Sequence, residues 1–173
     1  MTVFEKFKNT KAFVFDVDGV LTNGEVLLAE NGEQLRTFYI KDGYALQLAV
    51  KRNFPIAIIT GGKSQGIIHR MEGLGIKDVF MNISDKVDVL ESWMKEHGLK
   101  TEDVLFMGDD IPDLAAMKCV GFATCPADAV EDVKAVSQYI SSFNGGRGAV
   151  RDVIEKVMRL QNKWDKDTSI KSI

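Results

Sequence analysis

The sequence has few cysteines and prolines and no long apolar segment. Two of its 173 residues are cysteine and three are proline. Cys119 and Cys125 lack the CxxC spacing of zinc and redox sites, so we expect buried free thiols and a reducing, cytoplasmic location. No apolar run approaches the roughly 20 residues that a membrane-spanning helix needs. Residues 1–9 mix charged and apolar side chains and lack the apolar core of a signal peptide.

An excess of one charge is also absent. The chain carries 22 Lys and Arg against 25 Asp and Glu, and this net charge of −3 provides no electrostatic reason to expect nucleic acid or an anionic membrane as a partner. With 45% hydrophobic and 27% charged residues, the composition is that of an ordinary globular protein. We expect one domain with a full core over residues 1–162, followed by a polar C-terminal tail over residues 163–173.

Short apolar runs alternate regularly with amphipathic stretches along the chain. The clearest apolar runs cover residues 12–15, 55–59, 104–107 and 122–125. This alternation predicts an α/β fold with three layers, Rossmann-like, in which helices cover both faces of a mostly parallel sheet. Asn31-Gly32 separates two further strand-like runs and predicts a small β-hairpin flap over about residues 25–39. Asp42 is a candidate N-cap of the helix that follows the hairpin.

Polar clusters follow three of the apolar runs. Asp16 and Asp18 follow the first run, Thr60-Gly61-Gly62 the second, and Asp109, Asp110 and Asp113 the third. Since ligands bind beyond the carboxyl ends of the strands in open α/β sheets, we expect the three clusters to form one site. Burying a carboxylate is costly unless a cation or hydrogen bonds compensate, so the acids at these strand ends indicate a bound cation.

The paired acids after the first strand indicate phosphoryl transfer. Asp16 is the candidate nucleophile, which would form an aspartyl-phosphate. A carboxylate attacks an anionic phosphate only when a divalent cation relieves the repulsion, and Mg²⁺ prefers oxygen ligands. The predicted metal ligands are the carboxylates of Asp16 and Asp109 and the backbone carbonyl of Asp18. The side chain of Asp18 would remain free to protonate the leaving alkoxide and then to activate water. Thr60 and the amide of Gly61 are candidate donors to phosphoryl oxygens.

Three features of the candidate site also have a simpler interpretation. Lys86 falls in the first turn of a predicted helix, where the helix dipole disfavours a cation. We interpret it as neutralising phosphate charge, with an ordinary solvent-exposed lysine as the alternative. The acids at 109–113 are either a metal site or a capped turn. The glycine-rich loop over residues 144–148, which carries Arg147, either holds an anion or only starts the next helix.

Four motifs occur in a fixed order over roughly residues 11–152: Asp-x-Asp-Gly-x-x-Thr, Thr-Gly-Gly, a lone Lys and Gly-Asp-Asp-x-x-Asp. This series resembles the haloacid dehalogenase (HAD) superfamily of phosphatases. The resemblance implies a role for each motif: Asp16 as nucleophile, Asp18 as acid/base, Thr60 and Lys86 as phosphate ligands, and Asp109 as metal ligand. It further implies that Asp110 and Asp113 surround the metal ligands or orient Lys86.

Many members of the superfamily have a cap domain that closes the site, and the segments between these motifs are too short for one. Three segments are similar to a capless branch of the superfamily: Asp-Gly-Val-Leu-Thr-Asn-Gly, Ile-Lys-Asp-Gly-Tyr and Gly-Gly-Arg-Gly. This resemblance implies a homotetramer in which a neighbouring subunit covers each site. The resemblance implies Mg²⁺-dependent hydrolysis of 3-deoxy-D-manno-octulosonate 8-phosphate (KDO 8-phosphate), a sugar-acid phosphate of lipopolysaccharide biosynthesis.

The sugar specificity is the least constrained part of this hypothesis. Related phosphatases that act on nine-carbon sialic-type acid 9-phosphates carry Glu where this chain has Gly62, so the resemblance favours the eight-carbon substrate. Lys63, Arg70 and Arg147 are candidate ligands of the sugar-acid carboxylate, some of them from a neighbouring subunit. The alternatives are a nine-carbon acid phosphatase, phosphoryl transfer to an acceptor other than water, and a non-catalytic oligomerisation domain.

Overall fold

The computed structural model describes residues 1–173 and contains eight strands and seven α-helices. The strands are β1 (Ala12–Phe15), β2 (Leu27–Leu28), β3 (Gln34–Leu35), β4 (Ile56–Ile59), β5 (Asp78–Phe80), β6 (Val104–Met107), β7 (Phe122–Cys125) and β8 (Tyr139–Ile140). The helices are α1 (Val3–Asn9), α2 (Ile40–Lys51), α3 (Gln65–Gly73), α4 (Lys86–Glu96), α5 (Leu114–Lys118), α6 (Glu131–Val136) and α7 (Ala149–Leu160). The order of elements confirms the predicted α/β alternation.

Six strands form one sheet in the order β5-β4-β1-β6-β7-β8, and every neighbouring pair is parallel. Side chains alternate between the two faces of each strand. Phe13 and Phe15 of β1 pack towards α1, α2, α3 and α7, whereas Ala12 and Val14 pack towards α4, α5 and α6. Strands β1, β4, β6 and β7 are fully buried because both faces are covered, which is why they read as continuous apolar runs in the sequence.

The predicted hairpin is present as the antiparallel pair β2 and β3, with strands shorter than the apolar runs suggested. No further segment forms a cap over the carboxyl ends of the sheet. Helix α1 is absent from the sequence-based prediction, because its seven residues bury only Phe7 and therefore show little periodicity. Its ends are locally encoded all the same: Thr2 and Glu5 form a capping box.

The prediction that Asp42 caps its own helix is wrong. Tyr39 occupies the N-cap position of α2, and Asp42 lies buried in the first turn. Its Oδ1 instead accepts a hydrogen bond of 2.8 Å from the backbone N–H of Arg151, in the first turn of α7. Asp42 therefore caps a neighbouring helix and joins α2 to α7, a long-range contact that local sequence signals do not reveal.

The segment after residue 162 has no helix or strand but lies against α2 and α7. Trp164 packs edge-on against Tyr44 at 6.0 Å between ring centroids, and Lys51 forms an ion pair with Asp167 at 2.5 Å. Both cysteines are free: Cys125 is buried, whereas Cys119 is only half-buried. None of the helices has the length and apolar character that crossing a membrane requires.

Candidate active site

The carboxyl ends of β1, β4 and β6 lie side by side and carry the three polar clusters. Because β1 lies between the other two strands, Asp16, Thr60 and Asp109 come together at one edge of the sheet. They line a cavity of about 300 Å³. Its charged lining consists of five aspartates and one lysine: Asp16, Asp18, Asp109, Asp110, Asp113 and Lys86. The cavity therefore has a strong excess of negative charge.

A glycine allows Asp109 to lie against the turn that follows β1. Gly19 has a φ of +90°, in the left-handed region that favours glycine. A Cβ at this position would lie 1.9 Å from Oδ2 of Asp109. Any other residue at position 19 would push the Asp109 carboxylate away from the turn that carries Asp16 and Asp18.

Lys86 lies at the start of α4, where Asp85 caps the helix by accepting a hydrogen bond from Val87 N–H at 2.9 Å. Its Nζ donates to Oδ1 of Asp16 at 2.7 Å and to Oδ1 of Asp113 at 2.6 Å. Burial alone would lower the pKa of this ammonium group, but the two carboxylates raise it. The alternative of a solvent-exposed lysine is wrong: Lys86 is a buried cation whose charge is directed at Asp16.

The other oxygen of Asp113 is also occupied. Oδ2 of Asp113 accepts a hydrogen bond of 3.0 Å from the backbone N–H of Asp109. Asp113 thus orients Lys86 with one oxygen and the turn after β6 with the other. Asp110 has a simpler role, since it caps the turn by accepting from Ile111 N–H at 2.8 Å. The capped-turn interpretation therefore accounts for Asp110 but not for Asp109.

Asp16 and Asp109 are crowded in a way that calls for a cation. Oxygens of Asp16, Asp109 and Asp113 lie within 4.8 Å of one another. Burial and the charges of Asp16 and Asp113 raise the pKa of Asp109 to about 8. Burial and the charge of Asp113 also raise the pKa of Asp16, although the positive charge of Lys86 opposes this shift. Oδ1 of Asp109 is buried without a hydrogen-bond partner. These residues fit a divalent cation, which prefers hard oxygen ligands and would satisfy that oxygen.

The turn after β4 also lines the cavity, through Thr60, Gly61 and Gly62. Thr60 is buried, and its Oγ1 accepts a hydrogen bond from Gly62 N–H at 3.0 Å. Its carbonyl oxygen accepts from Ile83 N–H at 3.1 Å, which fixes the turn to the loop before α4. Gly61 is exposed at the cavity rim. A hydroxyl and a short turn of backbone thus face the aspartates.

A residue that the sequence motifs did not indicate also reaches the site. Arg36, just after β3 of the hairpin, donates from Nε to Oδ1 of Asp18 at 2.6 Å and from Nη2 to Oδ2 at 3.2 Å. A single arginine between apolar residues of a predicted strand carries no local signal of this contact. Only the folding of the hairpin over the sheet edge brings the two residues together.

The three basic residues predicted to bind a sugar-acid carboxylate lie outside the cavity of their own chain. Lys63 is exposed in the segment between β4 and α3 and is absent from the cavity lining. Arg70 is directed at α2, where a Cβ on Gly43 would lie 2.6 Å from its Nη2. Arg147 is exposed and lines a separate cleft, of about 700 Å³, together with Lys41. One chain therefore does not bring these three residues to the aspartates.

The glycine-rich loop after β8 supports the turn after β1 by close packing. A Cβ on Gly145 would lie 1.8 Å from the carbonyl oxygen of Gly19, and one on Gly146 would lie 2.5 Å from Asn23 N. Gly146 N–H also donates to the carbonyl oxygen of Val20 at 2.9 Å. These glycines are needed because two backbone segments touch there, a reason that neither sequence-based interpretation of the loop included.

Comparison with known proteins identifies the family. Residues 72–154 match the family model for haloacid dehalogenase-like hydrolases. Over 163 residues the chain is 34% identical to the 3-deoxy-D-manno-octulosonate 8-phosphate phosphatase of Salmonella typhi, covering 94% of this chain and 87% of that protein. The chain belongs to the haloacid dehalogenase-like hydrolases. Like its phosphatase relatives, this HAD hydrolase is a phosphoric monoester hydrolase.

Solved structures of similar proteins share the whole fold of this HAD hydrolase. The 3-deoxy-D-manno-octulosonate 8-phosphate phosphatase of Yersinia pestis superposes with a TM-score of 0.91 at 31% identity, covering 93% of this chain and 87% of that one. The Moraxella catarrhalis enzyme of the same name, solved with a magnesium ion, a phosphate ion and KDO, gives a TM-score of 0.88 at 36% identity, covering 92% and 91%. The resemblance in fold and family is thereby confirmed.

Proposed function

We propose that this HAD phosphatase hydrolyses KDO 8-phosphate to KDO and inorganic phosphate through an aspartyl-phosphate on Asp16, with Mg²⁺ as cofactor. The observation that carries the chemistry is the arrangement of Asp16: its carboxylate is buried, bound by Lys86 at 2.7 Å, and adjacent to an unpartnered oxygen of Asp109. A structural ion pair would not require a second, uncompensated carboxylate beside it. The nature of the sugar acid is supported by the two phosphatase relatives described above.

The residues divide the reaction between them. Asp16 attacks phosphorus, a new carboxylate–phosphorus bond forms, and the bond from phosphorus to the sugar oxygen breaks. Asp18 gives its proton to that oxygen and then takes one from the water that hydrolyses the aspartyl-phosphate. Lys86, Thr60 and the Gly61 amide would bind the phosphoryl oxygens, a role supported by their position in the cavity lining.

The metal site would use the carboxylates of Asp16 and Asp109 and the backbone carbonyl of Asp18. When bound there, Mg²⁺ supplies the positive charge that lets an anionic nucleophile approach an anionic phosphate. Asp113 is not proposed as a ligand, since Lys86 and the Asp109 N–H occupy its two oxygens. Asp110 would stabilise the turn after β6 without binding the cation.

The space around Gly62 supports an eight-carbon sugar acid. A Cβ on Gly62 would lie 3.2 Å from Oδ2 of Asp18. A glutamate at this position would place a second carboxylate beside Asp18, where it would accept hydrogen bonds from the hydroxyls of a longer, nine-carbon polyol. Glycine leaves this space uncharged. Lys63, Arg70 and Arg147 remain proposed ligands of the sugar acid, contributed across a subunit interface because they do not line the cavity of their own chain.

The test is phosphate release with Mg²⁺ from three substrates: KDO 8-phosphate, a nine-carbon sialic-type acid 9-phosphate and a neutral hexose phosphate. We expect kcat/KM for KDO 8-phosphate to exceed the other two by at least about 10-fold, the discrimination that one differing pocket contact supplies. Preference for the nine-carbon substrate would replace the substrate assignment. Absence of turnover on all three would favour a non-catalytic domain, and release only in the presence of an alcohol acceptor would indicate phosphoryl transfer.

We further propose that the enzyme is a homotetramer assembled through its hairpins. Leu27 and Leu28 of β2 are 68% and 69% exposed, and Leu35 of β3 is 49% exposed. Adjacent residues of a strand face opposite sides, so both faces of this hairpin present leucine to solvent. An isolated two-stranded hairpin is marginally stable in water, and contiguous exposed apolar residues mark an interaction surface. Self-association would cover them and close the capless site with a neighbour.

Replacing both Leu27 and Leu28 by glutamate is expected to convert the tetramer to monomers by light scattering, because like charges would then meet at the interface. The matched control is Phe4→Glu, which changes an apolar residue of α1 that is 59% exposed and should leave the tetramer intact. A wild-type protein that is monomeric at assay concentration, or a tetramer that survives the double substitution, would contradict this assembly.

A further inference from the structure

Arg36 is an unusual residue for a hairpin that is otherwise exposed. Its neighbours Leu35 and Thr37 are both exposed, yet only 6% of the Arg36 side chain is exposed. The guanidinium is held by both oxygens of Asp18. A bidentate pair of this kind fixes orientation as well as charge. The hairpin is thus attached to the site through one arginine.

The position of Arg36 relative to the proposed reaction follows from its partner. Asp18 is the residue proposed to transfer a proton to the leaving oxygen, so its carboxyl group must face the leaving group. A guanidinium bound to that carboxyl group lies on the leaving-group side of the site. Arg36 has five N–H donors in total, of which two contact Asp18 and a third lies 3.4 Å from the carbonyl oxygen of Gln34. Two donors remain for a ligand.

The charge of the cavity makes such a cation necessary for an anionic leaving group. Its lining contains five aspartates and only Lys86 as a cation, and Lys86 is already shared between Asp16 and Asp113. A divalent ion would compensate charge at Asp16 and Asp109, on the phosphate side. A sugar acid that carries a carboxylate would meet Asp18 without compensation unless a further cation lies there. Arg36 is the cation that contacts Asp18.

Gly62 leaves the space that Arg36 uses. A Cβ on Gly62 would lie 3.5 Å from Nη2 of Arg36 and 3.2 Å from Oδ2 of Asp18. A longer side chain at this position would occupy the region of the guanidinium and separate it from Asp18. The glycine and the arginine therefore form one arrangement, built by two segments that lie 26 residues apart in the numbering of the chain.

We propose that Arg36 is a specificity-determining residue of this phosphatase, which binds the carboxylate of the leaving sugar acid with its remaining donors. It would keep one hydrogen bond to Asp18, whose other oxygen carries the proton for the leaving oxygen. The proposal rests on the proposed function and extends it to the hairpin. It makes the hairpin a part of the substrate site as well as an assembly element. It also explains why a capless site with excess negative charge accepts an anionic sugar.

The experiment compares wild type with Arg36→Met and Arg36→Lys on two substrates, KDO 8-phosphate and p-nitrophenyl phosphate. Free KDO is used as an inhibitor of p-nitrophenyl phosphate hydrolysis, which measures sugar-acid binding without sugar-phosphate turnover. Arg52→Met is the matched control, since Arg52 pairs with Asp165 at the far end of α2.

For Arg36→Met we expect the KM for KDO 8-phosphate and the inhibition constant of KDO to rise about 10- to 100-fold, the range for a lost charged hydrogen bond. The ratio of its kcat/KM for KDO 8-phosphate to that for p-nitrophenyl phosphate should fall about 10-fold or more, because p-nitrophenyl phosphate has no carboxylate for Arg36 to bind.

Arg36→Lys should recover part of the KDO affinity, since lysine keeps the charge but not the bidentate geometry. Unchanged KM and inhibition constants in Arg36→Met would overturn the proposal. An equal loss on both substrates would also overturn it, because Arg36 would then act only by supporting Asp18. Failure of the proposed function looks different: the wild-type enzyme itself would neither hydrolyse KDO 8-phosphate nor be inhibited by KDO.

Discussion

Replacing Asp16 by asparagine is expected to abolish phosphatase activity, lowering kcat by about 10⁴-fold or more, as is typical for loss of a nucleophile. An amide oxygen is a poor nucleophile and carries no charge to hold a metal ion. The fold should persist, because Asp16 follows β1 and contributes no apolar contact to the core. The buried ammonium of Lys86 keeps a full partner in Asp113 at 2.6 Å.

The measurement is phosphate release from KDO 8-phosphate and from p-nitrophenyl phosphate, with the unfolding midpoint recorded for each variant. Asp132→Asn, on the exposed first turn of α6, is the matched control for an aspartate-to-asparagine change and should retain wild-type activity. Asp18→Asn provides a contrast within the site. It should lose hydrolysis of the sugar phosphate but still form a phosphoryl-enzyme from p-nitrophenyl phosphate, whose leaving group does not need a proton. Substantial activity of Asp16→Asn on either ester would refute the covalent mechanism.

The meeting of Asp16, Thr60 and Asp109 could be predicted because it depends on a general rule rather than on detail. Apolar runs identified β1, β4 and β6, and the carboxyl ends of parallel strands share one edge of a sheet. That rule needs no side-chain coordinates. The sequence also indicated Lys86, because a cation in the first turn of a helix is locally unfavourable and must be explained by another partner. The structure supplies that partner as two carboxylates.

Arg36 and Asp42 could not be predicted, since each acts at a distance in the chain. Arg36 lies 18 residues from Asp18, and Asp42 lies 109 residues from the backbone N–H of Arg151 that it binds. Local capping rules assigned Asp42 to its own helix because they consider only neighbouring residues. The loop over residues 144–148 does start the next helix, but the backbone contacts of Gly145 and Gly146 were missed for a similar reason. A glycine required by contact with a second backbone segment looks, in sequence alone, like a glycine required by a turn.

The second large effect expected concerns Asp109 and the stability of the metal-free protein. Burial and neighbouring carboxylates raise the pKa of Asp109 to about 8, whereas an aspartate in the unfolded chain titrates near about 3.9. Between these two values the folded chain holds a proton that the unfolded chain has released. The free energy of unfolding therefore decreases as the pH rises from about 4 to about 8. In the presence of a chelator, this contribution from Asp109 should make the wild-type protein less stable at pH 8 than at pH 6.

Mg²⁺ should reverse this trend, because a metal ion binds the deprotonated carboxylates and its affinity grows as they lose their protons. At a concentration of about 100 times its dissociation constant, a ligand specific for the folded state adds about 2.7 kcal/mol to the free energy of unfolding. Asp109→Asn removes the charge that burial opposes. We therefore expect this variant to be more stable than wild type in chelator at pH 8. Its free energy of unfolding should decrease less steeply with rising pH, and it should lose most of the stabilisation by Mg²⁺.

Thermal unfolding at pH 6, 7 and 8, with chelator or with Mg²⁺, separates these expectations. Asp132→Asn is again the control and should follow the wild-type curves in both conditions, since Asp132 is exposed and distant from the cavity lining. The activity of Asp109→Asn should fall together with the Mg²⁺-induced shift in unfolding midpoint. Lys86→Ala should lose activity but keep that shift, because Lys86 is proposed to bind phosphate and is not a proposed ligand of the cation. If Asp109→Asn is stabilised by Mg²⁺ as strongly as wild type, the cation does not bind at Asp109 and the carboxylates of this cavity are held apart by some other means.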